Sequence, residues 1–247
     1  MKIIKINSTD STNSYLKRLL LERSLQDFLV VVAKNQTNGR GQRGSEWLSD
    51  HGKNLTFSVL KRNLLVSPDQ QFMLNILVSL SIVKALESFD VPKLSIKWPN
   101  DILSDSFKIS GVLIENLIKN NQIMYSIIGI GLNVNQLKFE GLTRVSSLKN
   151  IMRLDIEKEE LLINIIEKLK IYFKMYSESE SRFFTSEYES YLFRKDKPST
   201  FRTKNDKLVS GIIRGVSDSG KLCVQMEDFD KEFAPFCLVT KRVLNER

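Results

Sequence analysis

The chain has 247 residues, 42% of them hydrophobic, and a formal net charge of +8 at neutral pH. This length allows one large domain, or a large domain with a small one. Two cysteines and one histidine argue against a disulfide framework or a zinc site, and they exclude a metal site built from several histidines. The longest apolar region, residues 74–86, is too short to span a bilayer. The start, MKIIKIN, lacks the pattern of a signal peptide, so we expect a cytoplasmic protein.

The N-terminal segment predicts a short strand followed by a helix. Apolar and polar residues alternate over residues 2–7, as is typical of a strand. Asp10, Ser11 or Thr12 can cap the helix that follows. Its apolar stripe consists of Tyr15, Leu16, Leu19 and Leu20. Hydroxyl and amide side chains at a helix start also lie beside free backbone N–H groups. This stretch alone fits ligand binding and plain helix capping equally well.

The most informative stretch is a glycine-rich loop that follows a buried strand at residues 30–32. From Lys34 it has no apolar side chain before Trp47, and it contains Gly39, Gly41, Gly44, Arg40 and Arg43. Glycines let the backbone approach a ligand closely, so several N–H groups can point at one anion. Arginine side chains match the geometry of carboxylate and phosphate oxygens. We interpret this segment as an anion-binding loop, and the alternative is a solvated surface hairpin.

The glycine spacing also satisfies the G-x-G-x-x-G pattern of dinucleotide-binding proteins, but its context does not. That fingerprint needs a helix at the last glycine and an acidic residue after the next strand. Here a turn-rich segment follows Gly44, and the next strand ends in Lys61 and Arg62. Residues 31–65 also hold six basic side chains against two acidic ones. Such a focused field suits an anionic ligand or an acidic partner.

The middle of the chain predicts a long helix between strands. We expect a strand over residues 54–60, an amphipathic helix over 68–89, and strands over 94–98, 108–115 and 123–132. The polar turn Pro99-Asn100-Asp101 precedes the strand that begins at Lys108. Glycines within these later strands favour a wall against which a ligand lies, although close strand packing is a rival explanation. They are Gly111, Gly129 and Gly131, with Asn133 after them.

Two helices and a set of short strands complete the chain. The helices are expected over residues 155–177 and 181–193, and each has one apolar face that fits core packing. Short strands at close spacing follow Pro198, which is the pattern of a small barrel. We therefore predict a large domain over residues 1–196 and a small domain over residues 197–247 that depends on the larger one for stability.

Five segments together resemble the biotin protein ligase family. They are DSTN (Asp10–Asn13), QTNGRGQRG (Gln36–Gly44) with Trp47 after it, KWPND (Lys97–Asp101), KISGVLIE (Lys108–Glu115) and GIGLN (Gly129–Asn133). The resemblance implies an α+β fold, with a mixed β-sheet flanked by helices as in class II aminoacyl-tRNA synthetases, and a C-terminal SH3-like β-barrel. Residues 1–196 would then form the catalytic domain that binds biotin and ATP. Because a predicted strand begins at residue 2, we expect no N-terminal DNA-binding domain.

The resemblance implies a two-step ligase reaction that uses biotin, ATP and Mg²⁺. The biotin carboxylate attacks the α-phosphate of ATP, which gives biotinyl-5′-AMP and pyrophosphate. The amine of a lysine in a biotin carboxyl carrier protein domain then attacks the adenylate and releases AMP. Because two anions meet in the first step, positive charge is needed between them. By resemblance, the catalytic residues that supply this charge are Arg40 and Lys108.

The resemblance also implies binding roles. Biotin binding is implied for Ser11, Thr12, Asn13, Gln36, Gly39, Arg40, Gly41, Gln42, Lys108 and Gly111. ATP or adenylate binding is implied for Arg40, Arg43, Trp47, Asn100, Asp101, Lys108 and Asn133. Thr12 and Gln36 would hydrogen-bond the ureido ring, and Trp47 would pack against adenine. Mg²⁺ would sit mainly on phosphate oxygens, with Asp101 as the candidate protein ligand.

One position departs from the family pattern, and two other functions compete with this one. Many relatives read G-R-G-R-R-G where this chain has Gln42, so we expect it to hold the adenylate less firmly. Lipoate protein ligase shares the fold, but the KWPND turn together with the GRGQRG loop favours biotin. A nucleic-acid-binding module would interleave basic residues with exposed aromatics, whereas these aromatics follow helical core spacing. We expect no DNA or membrane partner, and either a monomer or a homodimer.

Overall fold

The computed structural model describes residues 2–64, 66–202, 208–226, 236–238 and 242–243, with Arg43 and the last two segments described by their backbone alone. Seven strands form one sheet: β1 Ile3–Thr9, β2 Val30–Gln36, β3 Leu55–Arg62, β4 Leu94–Lys97, β5 Asp101–Ser104, β6 Phe107–Lys119 and β7 Gln122–Leu132. Their order across the sheet is β1-β2-β3-β7-β6-β5-β4. β1 and β2 are parallel, and the other neighbouring pairs are antiparallel. The predicted mixed sheet is thus confirmed.

Helices cover both faces of this sheet. They are α1 Thr12–Glu22, α2 Phe72–Glu87, α3 Leu148–Met152, α4 Lys158–Glu178 and α5 Ser181–Ser190. Successive residues of a strand point to opposite faces, so Val30 joins the larger hydrophobic cluster and Val31 the smaller one. α1 packs on the smaller cluster, and α2, α4 and α5 contribute to the larger one. Because helices lie on both sides, β3 is buried along almost its whole length.

Several element boundaries differ from those predicted. The helix expected over residues 68–89 begins only at Phe72, because Pro68–Gln70 forms a separate 3₁₀ turn. The helix expected over residues 181–193 ends at Ser190. Asp101, predicted to be a turn residue, is the first residue of β5. Both β5 and α3 were missed, since elements of four or five residues are too short to show a periodicity.

A second sheet follows Pro198, where the sequence predicts a small barrel. Its strands are β8 Pro198–Arg202, β9 Leu208–Val216, β10 Leu222–Met226, β11 Phe236–Leu238 and β12 Arg242–Val243, in the order β11-β10-β9-β8-β12. Within the described residues this sheet is open, with β11 and β12 at its edges. Hydrogen bonds that fasten it to the larger part of the chain include those from the Trp98 indole N–H to the Gly220 carbonyl (2.9 Å), from the Val216 N–H to Glu189 (2.8 Å) and from the Asp196 N–H to the Ile213 carbonyl (2.9 Å). Across the described ranges, no helix is both long and apolar enough to cross a membrane.

Candidate functional site

A half-open cavity of about 480 Å³ lies over β6 and β7 and collects most of the predicted site residues. The predicted residues in its lining are Ser11, Thr12, Asn13, Gln36, Arg40, Gly41, Gln42, Trp47, Asn100, Asp101, Lys108 and Gly111. Gly39 instead lines a neighbouring cavity of about 450 Å³. The side chain of Arg43 lies outside the described part of the structure. Segments far apart in the chain therefore converge on one space.

The start of α1 forms a buried polar wall of the cavity. Ser11 is the N-cap residue by backbone conformation, but its side chain makes no capping hydrogen bond. The backbone N–H and the hydroxyl of Thr12 both donate to Oε1 of Gln36, at 2.8 and 3.1 Å. Ser11, Thr12 and Asn13 are all buried. The polar cluster at this helix start therefore faces the cavity rather than simply capping the helix.

Ser58 supports this wall from β3, a role that was not predicted from the sequence. It lies fully buried in the middle of β3, with its hydroxyl 2.7 Å from the Thr12 hydroxyl and 2.5 Å from Oδ1 of Asn13. The available signal was a lone serine within the apolar run of β3, because a polar side chain in a buried strand needs a partner. Ser58 thus joins the two neighbouring side chains of α1 into one hydrogen-bonded chain with Gln36.

Arg40 is held at the cavity rim by Glu115, an acidic side chain for which no role was predicted from the sequence. Nη2 of Arg40 lies 3.2 Å from Oε2 of Glu115 and 3.1 Å from the Ser14 hydroxyl. Lys17 and Asn13 donate to the same carboxylate, each at 2.7 Å. Burial works to raise the pKa of Glu115, but these hydrogen bonds and the nearby positive charges outweigh it, so its pKa lies below the ordinary value. Glu115 is therefore ionised at neutral pH.

Lys108 also lines the cavity, together with the cationic side chains of Arg40 and Lys97. Its ammonium group lies 2.7 Å from Oδ1 of Asp101 and 5.8 Å from the centre of the Trp47 ring. β5 and β6 pair here with a register shift, and the backbone of Lys108 also bonds to Arg144 and Ser146. Because the backbone is fixed on both sides, the position of the Lys108 side chain is set by the sheet.

Trp47 lies flat against two glycines that face each other across β6 and β7. Gly111 and Gly131 are paired in register, and a Cβ atom at Gly131 would overlap the indole ring. A Cβ atom at Gly129 would come within 2.5 Å of Oδ1 of Asn13. Gly129 and Gly131 are therefore needed for close packing of site side chains, whereas a Cβ atom at Gly111 would only come within 3.3 Å of Lys108 and Trp47. Both explanations left open by the sequence, a ligand wall and close packing, thus apply to this part of the sheet. The buried Trp47 indole N–H has no partner among the described protein atoms.

The glycine loop is shaped by short backbone hydrogen bonds. The N–H of Gly41 donates to the Ser45 carbonyl (2.7 Å), and the N–H of Trp47 donates to the Gly39 carbonyl (2.9 Å). Between them, Gln42–Gly44 forms a 3₁₀ turn, and Gly44 has a φ angle of 80°. Glycine adopts this left-handed conformation at no steric cost. The turn carries Gln42 into the cavity lining and brings Trp47 back to the sheet.

Asn133, like Gly39, is a predicted site residue that does not line the main cavity. It is buried at the end of β7, where its backbone N–H donates to the Ile109 carbonyl and its side-chain amide donates to the Ser146 carbonyl. Its Oδ1 atom has no partner in the described chain. This position supports the segment that holds Lys108, and contact with a nucleotide remains a prediction.

The C-terminal sheet contributes an apolar part of the cavity wall that no motif indicated. Ile213 and Leu222 line the cavity, next to Leu192 and Phe193 from the segment after α5. These residues have no spacing signal, because they meet the site only through the packing of β9 and β10 against the larger sheet.

Within the described residues no three His, Cys, Asp or Glu side chains form a group that could hold a metal ion. His51 is an exposed turn residue.

Comparison with known proteins agrees with these features. Residues 6–133 match the model of the Biotin/lipoate A/B protein ligase family. Bifunctional ligase/repressor BirA of Escherichia coli is 26% identical over 230 residues, which are 90% of this chain and 68% of that protein. Biotin--[acetyl-CoA-carboxylase] ligase of Mycobacterium tuberculosis is 23% identical over 224 residues, which are 90% of this chain and 82% of that protein.

A solved structure extends the likeness to nearly the full length. The biotin protein ligase from Aquifex aeolicus in complex with biotin and ATP has a TM-score of 0.78 and 28% sequence identity, and the match covers 98% of this chain and 99% of that one. The family match alone spans more than half of the 247 residues. This chain belongs to the biotin/lipoate A/B protein ligase family.

Proposed function

We propose that this protein activates biotin with ATP and transfers it to a lysine of a biotin carboxyl carrier protein domain. The observation that carries the proposal is the convergence of two cations, Arg40 and Lys108, and the polar pair of Thr12 and Gln36 on one cavity. The Aquifex aeolicus relative, which binds both biotin and ATP, supports the same pair of substrates. A volume of about 480 Å³ lies within the usual range for small-molecule sites.

The wall at the start of α1 suits the ureido ring of biotin. Thr12, Asn13, Gln36 and Ser58 are joined by hydrogen bonds, and the first two side chains are buried. A buried polar ring needs such partners, because an unpaired N–H or carbonyl group costs ~1–3 kcal/mol. In the proposed complex, Thr12 and Gln36 exchange part of their mutual hydrogen bonding for the ureido group, and Ser58 keeps the wall in place.

In the first step, a carboxylate oxygen of biotin forms a bond to the α-phosphorus of ATP. The bond from that phosphorus to the bridging oxygen breaks, and its electron pair leaves with pyrophosphate. Arg40 can bind both the carboxylate and the phosphate, since its guanidinium has several donors in one plane. Lys108, held by Asp101, adds a point charge in the same cavity. Both charges then stabilise the negative charge that spreads over the phosphate oxygens in the transition state.

The nucleotide would lie on the side of the cavity formed by Trp47, Asn100 and Asp101. Trp47 offers the aromatic face for adenine, and Arg43 is proposed to hold the distal phosphates. Mg²⁺ neutralises phosphate charge when it is bound with ATP, and it takes most of its ligands from phosphates and water. Within the described residues the cavity lining offers only two carboxylates, Glu46 and Asp101, and of these Asp101 is the proposed protein ligand, which fits that requirement. Asn133 completes the proposed nucleotide side.

In the second step, the neutral amine of the acceptor lysine attacks the acyl carbon of the adenylate. The bond from that carbon to the phosphate oxygen breaks, AMP leaves, and a proton passes from the new amide nitrogen to water. In the described lining of the cavity there is no cysteine or histidine, so the chemistry here rests on positioning and charge.

We also propose that residues 1–196 form the catalytic domain and that residues 197–247 form an SH3-like domain. We further propose a cytoplasmic location and either a monomer or a homodimer.

The function is tested by incubating the protein with biotin, ATP, Mg²⁺ and a carrier domain. Mass spectrometry should detect one added biotinyl group on a single carrier lysine, and omission of ATP should abolish it. Lipoate in place of biotin is the competing arm. A product with lipoate and none with biotin would favour a lipoate ligase, and no product with either would overturn the proposal.

Gln42 should set how firmly the adenylate is held. A neutral amide can hydrogen-bond the adenylate but adds no charge, so Gln42→Arg should slow the release of biotinyl-5′-AMP by about tenfold, as expected for one charge-assisted hydrogen bond. The measurement is the dissociation rate of preformed adenylate in the absence of carrier. Gln42→Asn, which adds no charge, is the matched control. Equal release rates for the wild type and the arginine variant would contradict this prediction.

A further inference from the structure

Glu115 lies where three separate elements meet at the cavity rim. It receives hydrogen bonds from Asn13 at the start of α1, from Lys17 one turn further along α1, and from Arg40 of the glycine loop. The Glu115 side chain is 21% exposed, so its partners hold it at the edge of the site. Three donors on one half-buried carboxylate fix its position more strongly than a single surface ion pair would.

The hydrogen bonds of Arg40 to Ser14 and Glu115 use only part of its guanidinium group, which leaves other N–H donors for a ligand. Both hydrogen bonds recorded for Arg40 in the described chain use Nη2, which donates to Ser14 and Glu115. A guanidinium has five N–H donors in a fixed plane, so anchoring one amino group orients the rest. Arg40 lines the cavity. Its remaining donors can therefore bind a carboxylate or a phosphate while Nη2 stays on Glu115.

Lys17 resolves an electrostatic conflict that this arrangement would otherwise create. A carboxylate beside Arg40 cancels its charge and repels anionic substrates. Lys17 lies 2.7 Å from Oε1 of Glu115, whereas Arg40 lies 3.2 Å from Oε2. The three groups together carry one net positive charge. Glu115 can therefore orient Arg40 without removing the positive field from the cavity.

Glu115 also connects Arg40 to the polar wall. Asn13 donates to Glu115 through Nδ2, and its Oδ1 lies 2.5 Å from the Ser58 hydroxyl. Ser58 is bonded in turn to Thr12, and Thr12 to Gln36. One chain of hydrogen bonds thus connects the polar wall to Arg40, the cation that is proposed to meet the substrate carboxylate.

We propose that Glu115 is a positioning residue that orients Arg40 toward the substrate carboxylate and the α-phosphate, and that Lys17 is the counter-ion that keeps the charge of Arg40 available. This inference rests on the proposed function. Glu115 acts through Arg40 and touches neither substrate, so its contribution depends on the presence of the arginine.

The test measures biotin-dependent exchange of pyrophosphate into ATP for Glu115→Ala in the wild type and in Arg40→Ala. With Arg40 present, Glu115→Ala should lower kcat/KM by about 100-fold, as expected when a catalytic group is misplaced. In the Arg40→Ala background the same change should cost less than about threefold. Glu115→Gln keeps an oxygen acceptor for Asn13 and Arg40, so it should recover at least tenfold of the loss. Lys17→Met should raise the KM for biotin more than it lowers kcat.

Thermal unfolding of each variant separates positioning from folding. An equal loss from Glu115→Ala in both backgrounds would overturn the inference, as would no recovery in a Glu115→Gln variant that is as stable as the wild type. If the wild type and Glu115→Ala exchange pyrophosphate equally well, the inference about Glu115 is overturned and the proposed function stands. A folded wild type without exchange or transfer activity overturns the proposed function, and this inference with it.

Discussion

Replacing Lys108 with alanine should lower kcat/KM for adenylate formation by about three orders of magnitude. Removing one preorganised donor that stabilises charge in a transition state typically costs 10²–10³-fold. The structure adds a second penalty, because Asp101 lies 2.7 Å from Lys108 and would become an uncompensated carboxylate beside two anionic substrates. The measurement is steady-state pyrophosphate release with biotin and ATP varied in turn.

A double variant separates these two penalties. Asp101→Asn together with Lys108→Ala removes the cation without leaving the unpaired carboxylate, so it should be about tenfold more active than Lys108→Ala alone. Lys119→Ala, at the exposed end of the same strand, is the matched control and should behave as the wild type. A Lys108→Ala variant within tenfold of the wild type, correctly folded, would refute the role given to this lysine.

The fold was predictable where long elements carry a periodic pattern, and less so elsewhere. α4 has one apolar face and α2 a nearly continuous apolar run, each over four or more turns, so their existence followed from the sequence. The prediction that α2 is amphipathic was wrong, because this helix is buried on nearly all sides. The ends of α2 were less certain, because Pro68–Gln70 makes a 3₁₀ turn that continues the same pattern. β5 is defined by its partners β4 and β6 rather than by its own four residues. Contacts of this kind exist only in the folded chain.

The candidate site divides in the same way. Arg40, Lys108 and Trp47 lie in segments rich in glycine or in unusual polar residues, which mark them in the sequence. Glu115 closes one of these segments, yet its role depends on Lys17 and Asn13, which reach it across about one hundred positions of chain. Ile213 and Leu222 enter the cavity wall from the C-terminal sheet. No local pattern encodes such long-range contacts, and only register and packing place them.

Replacing Arg40 with alanine should also lower kcat/KM for adenylate formation, by about 10³-fold, because this side chain is proposed to bind both anions. The loss should appear in kcat and in the KM for biotin together, since the carboxylate and the transition state both use the guanidinium. Arg40→Lys keeps the charge but loses the planar fork, so it should recover only about tenfold.

Arg23→Ala is the control for Arg40, because Arg23 is exposed at the C-terminal end of α1. The Arg40→Ala variant should also show how the positive charge of Arg40 offsets the negative charge of Glu115. Without the guanidinium, only Lys17 remains as a positive partner of that carboxylate, so the cavity rim loses its net positive charge. Raising the ionic strength should then reduce kcat/KM less in Arg40→Ala than in the wild type, because salt screens an attraction that the variant no longer has. An identical salt dependence in both proteins would mean that Arg40 does not supply the field that draws the two anions together.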